Sequence, residues 1–186
     1  MKKLLKFIIW IVIICLLVYG GMTAYHKIER FIYPTDYADL VEQYADEYDL
    51  PQSLVFSVIK CESNFNPKAV SSIGAKGLMQ LTDETYEWVC SRYAEKNIDN
   101  GNLFDPEKNI EAGCSLLTLL SKDFDSLETR LCAYHAGRNI TLKWLSDSEY
   151  SSDGETLDKI PYSDTSSYVD KVVKTIEKYK EIYEIQ

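Results

Sequence analysis

Apolar residues run unbroken from Phe7 to Tyr19, and no charge interrupts the chain until after Tyr25. Such a stretch has no polar face, and at about 1.5 Å per residue a helix of that length can cross a hydrocarbon core. A break follows at Ile32 to Thr35, with Pro34 as its marker. Beyond it the pattern changes to helical period. Tyr37, Leu40, Val41, Tyr44, Ala45 and Tyr48 form one stripe, and Leu54, Val55, Val58 and Ile59 form the next, with Pro51 near its start. Asn64 to Gly77 reads as a structured loop, and a further helix passes through Tyr86, Trp88 and Val89. Asp105-Pro106-Glu107 opens a helix that is apolar nearly all round, hence central; Asp125 with Glu128 predicts a capping box for Leu127 to Ala136, and Gly137 an exit. Ser146 to Asp164 reads as a long surface loop. The last helix carries Tyr168, Val169, Val172, Val173, Ile176 and Tyr179 on one face. No alternating strand pattern and no internal repeat occur. The expected class is all-α.

Glu62 continues the second stripe, where a carboxylate is out of place. Partial desolvation and the negative end of a helix dipole both disfavour its charged form and raise its pKa. A carboxylic acid still protonated near neutral pH is suited to general-acid chemistry on a glycosidic oxygen. The competing reading is a glutamate that snorkels to water at a helix end.

Charge and cysteines bound the setting. Three of the 20 Lys and Arg and none of the 29 Asp and Glu lie in the first 25 residues, leaving 17 against 29 in the remainder. So acidic a domain excludes nucleic acid as a partner, because nucleic-acid binders carry basic patches. Lys2, Lys3 and Lys6 ahead of the apolar stretch place the N-terminus in the cytoplasm and the rest outside. The expectation is a single-pass anchor with linker over residues 1–34 and an extracytoplasmic domain over 35–186. A cleaved leader is the rival, supported by Gly20, Gly21 and Ala24 and opposed by Met22. Outside the cell, Cys61, Cys90, Cys114 and Cys132 permit three disulfide pairings, or none if they pack as buried thiols. With no C-x-x-C pair and only His26 and His135 as histidines, no metal site is expected.

The run from Glu62 to Ser71 (E-S-N-F-N-P-K-A-V-S), followed by Gly74-Ala75-Lys76-Gly77-Leu78-Met79-Gln80-Leu81, resembles the signature of lytic transglycosylases of the soluble (SLT) family. Ala133-Tyr134-His135-Ala136-Gly137 is similar to that family's A-Y-N-A-G segment. Ile160-Pro161-Tyr162, Asp164-Thr165 and Tyr168-Val169 are similar to its C-terminal pattern. The likeness runs in order from about Leu50 to Tyr179. It implies a lysozyme-like fold, peptidoglycan glycan strands as substrate, and no cofactor. It implies Glu62 as acid and then base, Ser71 beside it as an orienting hydroxyl, Gln80 and Met79 against the glycan, and Tyr134 across the cleft. Tyr168 is open between cleft wall and core, and Met79 between glycan contact and plain packing. His135 stands where the family usually has Asn, and Arg138 where Pro is frequent.

By the resemblance, Glu62 protonates the oxygen between MurNAc and GlcNAc, and the muramyl C6 hydroxyl then closes on C1 to give 1,6-anhydroMurNAc. The signature holds no convincing second carboxylate of the kind that two-acid glycosidases need. Two alternatives stay open on sequence alone: a hydrolytic muramidase, and a membrane-anchored peptidoglycan-binding module without turnover.

Overall fold

A computed structural model describes residues 2–92 and 102–185. The chain divides into two compact units, Met1–Thr35 and Asp36–Gln186. The first unit is one helix, α1 (Lys2–Ile32). Its segment Ile9–Ile32 has 24 residues, a mean hydropathy of 1.8 and no buried surface. At about 1.5 Å per residue it is roughly 36 Å long, enough to cross a membrane. Its Thr23 hydroxyl is satisfied internally, Oγ1 donating to the carbonyls of Gly20 (2.9 Å) and Tyr19 (3.1 Å).

The second unit is helical: α2 (Ala38–Glu47), α3 (Gln52–Glu62), α4 (Asp83–Arg92), α5 (Pro106–Ser121), α6 (Leu127–Ala136), α7 (Arg138–Leu145) and α8 (Ser163–Tyr183). Among the described residues the only extended pairing is two isolated bridges, Val70 with Lys76 and Lys76 with Leu81. The all-α expectation holds.

The predicted stripes are the buried faces. On α2, Val41, Tyr44 and Ala45 are buried; on α8, Tyr168, Val169, Val172, Ile176 and Tyr179. Helix α3 is buried along its whole middle, from Ser53 to Ile59. Burial of each large apolar side chain there contributes about 1.5–3 kcal/mol. Helix α8 lies along α3 and also meets α6, and Phe56 stacks on Tyr179 with ring centroids 5.4 Å apart. Helix α5 packs against α2, α4 and α6 with Ile110, Ala112, Cys114 and Leu117 fully buried, the central helix its composition predicts.

The starts of α5 and α6 follow side-chain acceptors. Asp105 takes the Glu107 N–H at 3.0 Å, with Pro106 in the first turn. For α6 the expected cap was one residue early. Ser126, not Asp125, accepts the Thr129 N–H (3.3 Å), and it also donates to Glu128 (3.1 Å). Helix α7 was not foreseen. Gly137, at φ 98°, turns the chain directly from α6 into it, and α7 buries Thr141, Trp144 and Leu145. The loop before α8 is tied by its own side chains: Ser151 Oγ donates to the Thr156 carbonyl (2.6 Å), and Asp153 accepts from the Thr156 N–H (2.7 Å). Cys61, Cys114 and Cys132 are free thiols. Burial pushes the Cys132 thiol up to about 12, so it stays protonated and packs as a small hydrophobe.

Candidate active site

Glu62 is the last residue of α3, the helix that brings Val55, Val58 and Ile59 into the core on the same face. The chain then leaves the helix abruptly. Asn64 (φ 50°) and Phe65 (φ 63°) are both left-handed, a conformation that costs a non-glycine residue about 1–2 kcal/mol. The turn is held from below by Phe65, which is buried against Phe56. It is held from the side by Ser63, whose hydroxyl donates to the Leu78 carbonyl at 2.7 Å. From α8, Lys171 Nζ donates to the Cys61 carbonyl at 3.1 Å, satisfying an end-of-helix acceptor.

The Glu62 side chain is half-buried, and desolvation lifts its pKa from 4.5 to about 7. The Tyr168 hydroxyl and the Lys171 cation oppose that rise without cancelling it. An open cavity of about 400 Å³ is lined by Lys76, Asp83, Tyr86, Glu87 and Leu103, and Glu62 is not among its lining residues.

The loop facing the acid is built on Gly77 and Asn109. Gly77 has φ 77°, and a Cβ there would stand 2.2 Å from the Leu103 carbonyl oxygen and 2.3 Å from Asn109 Nδ2. Only glycine fits. Asn109, on α5, is fully buried and gives three hydrogen bonds. Its Nδ2 donates to the carbonyls of Lys76 (3.0 Å) and Leu103 (2.9 Å), and its Oδ1 accepts the Met79 N–H (2.7 Å). The central helix thus clamps the glycine loop. Sequence reading missed this residue; the available signal was an amide within a nearly all-apolar helix, which must find partners if buried.

Two expected site residues serve this loop instead. Ser71 makes no hydrogen bond to Glu62. Its Oγ accepts the Ala75 N–H (3.0 Å), closing the Ser71–Ala75 turn, because a short hydroxyl competes well for nearby backbone. Met79 is fully buried with its sulfur over Gly113, so the side chain belongs to the core and not to a glycan surface. Gln80, at φ 50° and half-buried, donates Nε2 to the carbonyls of Gly77 (2.9 Å) and Ala69 (3.2 Å). Its amide nitrogen thus holds the loop, and its amide oxygen is left as an acceptor.

Tyr134, Tyr168 and His135 complete the surroundings of Glu62. The Tyr134 hydroxyl donates to the Met79 carbonyl (2.7 Å), tying α6 to the loop, and Glu62 is among the charges that raise its pKa. Tyr168 is 8% exposed. Its hydroxyl acts on Glu62 but falls short of a fully formed hydrogen bond with any described group. His135 stacks on the Tyr168 ring, centroids 4.4 Å apart and planes at 25°, and its Nδ1 lies 3.1 Å from Thr165 Oγ1. The structure therefore gathers Glu62, Tyr134, Tyr168 and His135, and puts Ser71, Met79 and Gln80 into the adjoining loop and core.

Residues 39–156 match the model of the Transglycosylase SLT domain. The chain is 34% identical over 151 residues to the soluble lytic murein transglycosylase of Escherichia coli K12, covering 80% of this chain and 23% of that protein. It is 28% identical over 168 residues to the membrane-bound lytic murein transglycosylase C of Edwardsiella ictaluri, covering 78% and 47%. Among solved structures, the 70 kDa soluble lytic transglycosylase of Escherichia coli superposes with a TM-score of 0.69 at 29% identity, over 80% of this chain and a quarter of that one. The chain thus spans less than half the length of these relatives, with a match that takes in α2 to α7, the Glu62 turn and the glycine loop. It belongs to the SLT transglycosylase domain family.

Proposed function

We propose that this chain is a peptidoglycan lytic transglycosylase, with Glu62 as its single acid and base. The observation that carries the reading is a carboxyl at the end of a buried helix face, lifted to about 7 by desolvation. Near neutral pH about half the molecules hold the proton that the reaction needs. Glu62 gives it to the oxygen joining MurNAc to GlcNAc, the C1–O bond breaks, and GlcNAc leaves as an alcohol. The muramyl N-acetyl oxygen supports the cation at C1. The Glu62 carboxylate then takes the proton of the muramyl C6 hydroxyl as O6 bonds to C1, giving 1,6-anhydroMurNAc and restoring the acid. No water is consumed.

In this reading Tyr168 faces the acid, Gln80 offers its amide oxygen to the glycan from the loop rim, and Ser71 acts by fixing the loop. The apolar α1 is a single-pass anchor, Lys3 and Lys6 hold the N-terminus in the cytoplasm, and the domain from residue 35 works outside on glycan strands. The test is mass spectrometry of isolated cell walls after digestion. Anhydro-muropeptides support the proposal; reducing ends alone identify a hydrolytic muramidase, and binding without release identifies an inactive module.

A further inference from the structure

We propose that His135 is a positioning residue, whose imidazole, stacked on the Tyr168 ring and tied to Thr165, holds the Tyr168 hydroxyl against the Glu62 carboxyl. This rests on Glu62 being the acid of the proposed reaction. The Tyr168 hydroxyl is more than nine-tenths buried, faces a carboxyl, and has no fully formed hydrogen bond to fix it. Its direction is therefore set by whatever holds the ring. The closest aromatic neighbour is His135 at 4.4 Å, nearer than the Phe56–Tyr179 stack in the core at 5.4 Å. His135 is gripped from α8. Thr165 and Tyr168 lie three residues apart on one helix face, one holding Nδ1 and the other the ring plane.

The imidazole acts as a neutral plate. Burial lowers its pKa below the ordinary 6.5, with the Asp164 carboxylate on α8 partly opposing, which favours the uncharged ring facing Tyr168. Asparagine, the usual residue here by resemblance, can keep a hydrogen bond to Thr165 but has no ring face. The inference is thus particular to this chain: orientation of the acid depends on α6 through a histidine that touches neither the acid nor the bond it cleaves.

The test is titration of the Glu62 carboxyl by ¹³C NMR in the full-length chain in detergent, without substrate, alongside the pH dependence of wall digestion. Tyr168 holds the acid's pKa down. Removing its hydroxyl in Y168F raises the midpoint by about half a pH unit, the scale of one modest hydrogen bond. H135A and H135N raise it by a similar amount, add nothing to Y168F in the double variants, and move the alkaline limb of the rate profile upward with kcat reduced and KM little changed. H135F, which keeps a flat ring, restores the wild-type midpoint. H135N serves if H135A does not fold. The proposal is overturned if Y168F leaves the midpoint in place, if H135N titrates as wild type while Y168F moves, or if H135F shifts as far as H135A. It is also overturned if the His135 variants raise KM at constant kcat, which would make His135 a glycan contact. Because the titration needs no turnover, an inactive wild-type chain would sink the proposed function and leave this inference separately readable.

Discussion

Replacing Glu62 by Gln should make the protein a much poorer enzyme and, at alkaline pH, a more stable one. The carboxyl has an ordinary pKa of 4.5 and a native one of about 7. Between those values the native state holds a proton that the unfolded state has released. The stability linked to it is therefore complete below 4.5 and lost as pH rises through 7. A difference of about 2.5 pH units corresponds to roughly 3 kcal/mol. Glutamine keeps the shape and carries no titrating proton, so E62Q lacks this loss. The two proteins should have the same stability at pH 4. At pH 8.5 E62Q should lead by about 3 kcal/mol, or roughly 6–12 °C in Tm for a unit of this size. Loss of general-acid catalysis removes about 10²–10⁴ in rate at every pH. The assay is thermal unfolding followed by circular dichroism from pH 4 to 9, paired with release of muropeptides from isolated walls. Parallel stability curves for the two proteins would refute the desolvated acid. An E62Q variant retaining a tenth of the activity would refute its role.

Gly77→Ala should destabilise by about 3 kcal/mol or more, through a contact at 2.2 Å from backbone and a left-handed φ, seen as a lowered urea midpoint with activity lost in parallel. Asn109→Ala leaves the Met79 N–H and the Leu103 carbonyl unpaired, while the Lys76 carbonyl keeps the Leu81 N–H; at about 1–3 kcal/mol for each orphaned group, stability to urea should fall by about 2–6 kcal/mol, and a loss under about 1 kcal/mol would mean the clamp is not formed. Ser71→Ala should cost only about 0.5–1.5 kcal/mol, because its hydroxyl serves the Ser71–Ala75 turn, and Glu62 should titrate unchanged. A chain beginning at Asp36 should be soluble and active on isolated walls, while the full chain should sediment with membranes and resist alkaline carbonate; recovery of a mature protein starting near Met22 or Tyr25 would count against the anchor.

Much of this was legible in the sequence, for reasons that differ by residue. The stripes of α2 and α8 declare themselves because one face is core and the other solvent. Glu62 is conspicuous because it continues the Val55, Val58, Ile59 spacing and still ionises. Asn109 was hidden by its helix: α5 is buried nearly all round, so no face marks where the amide points, and its partners at Lys76, Met79 and Leu103 are distant in sequence. Helix α7 was hidden by brevity, since Trp144 and Leu145 are too few for a period and acquire meaning only once α6 lies beside them. The Asp125 cap failed, and the Ser71–Ala75 turn was hidden, for a shared cause. Several short polar side chains compete for each exposed N–H, and the winner is decided by local geometry that composition does not carry.

The Asn109 clamp bears on how the cleft can move. A lid that opens must break only a few exposed hydrogen bonds, whereas the Met79 amide is locked to a fully buried side chain on the central helix. Freeing it leaves the Met79 amide and the buried Asn109 acceptor without each other in the core. Hydrogen exchange at that amide should therefore follow global unfolding, placing the loop among the last-opening parts of the molecule although, under the proposed function, it borders the glycan-binding surface. On the proposed function, a wall so fixed would select its polymer by shape in advance, and the flexible partner in the encounter would be the glycan strand.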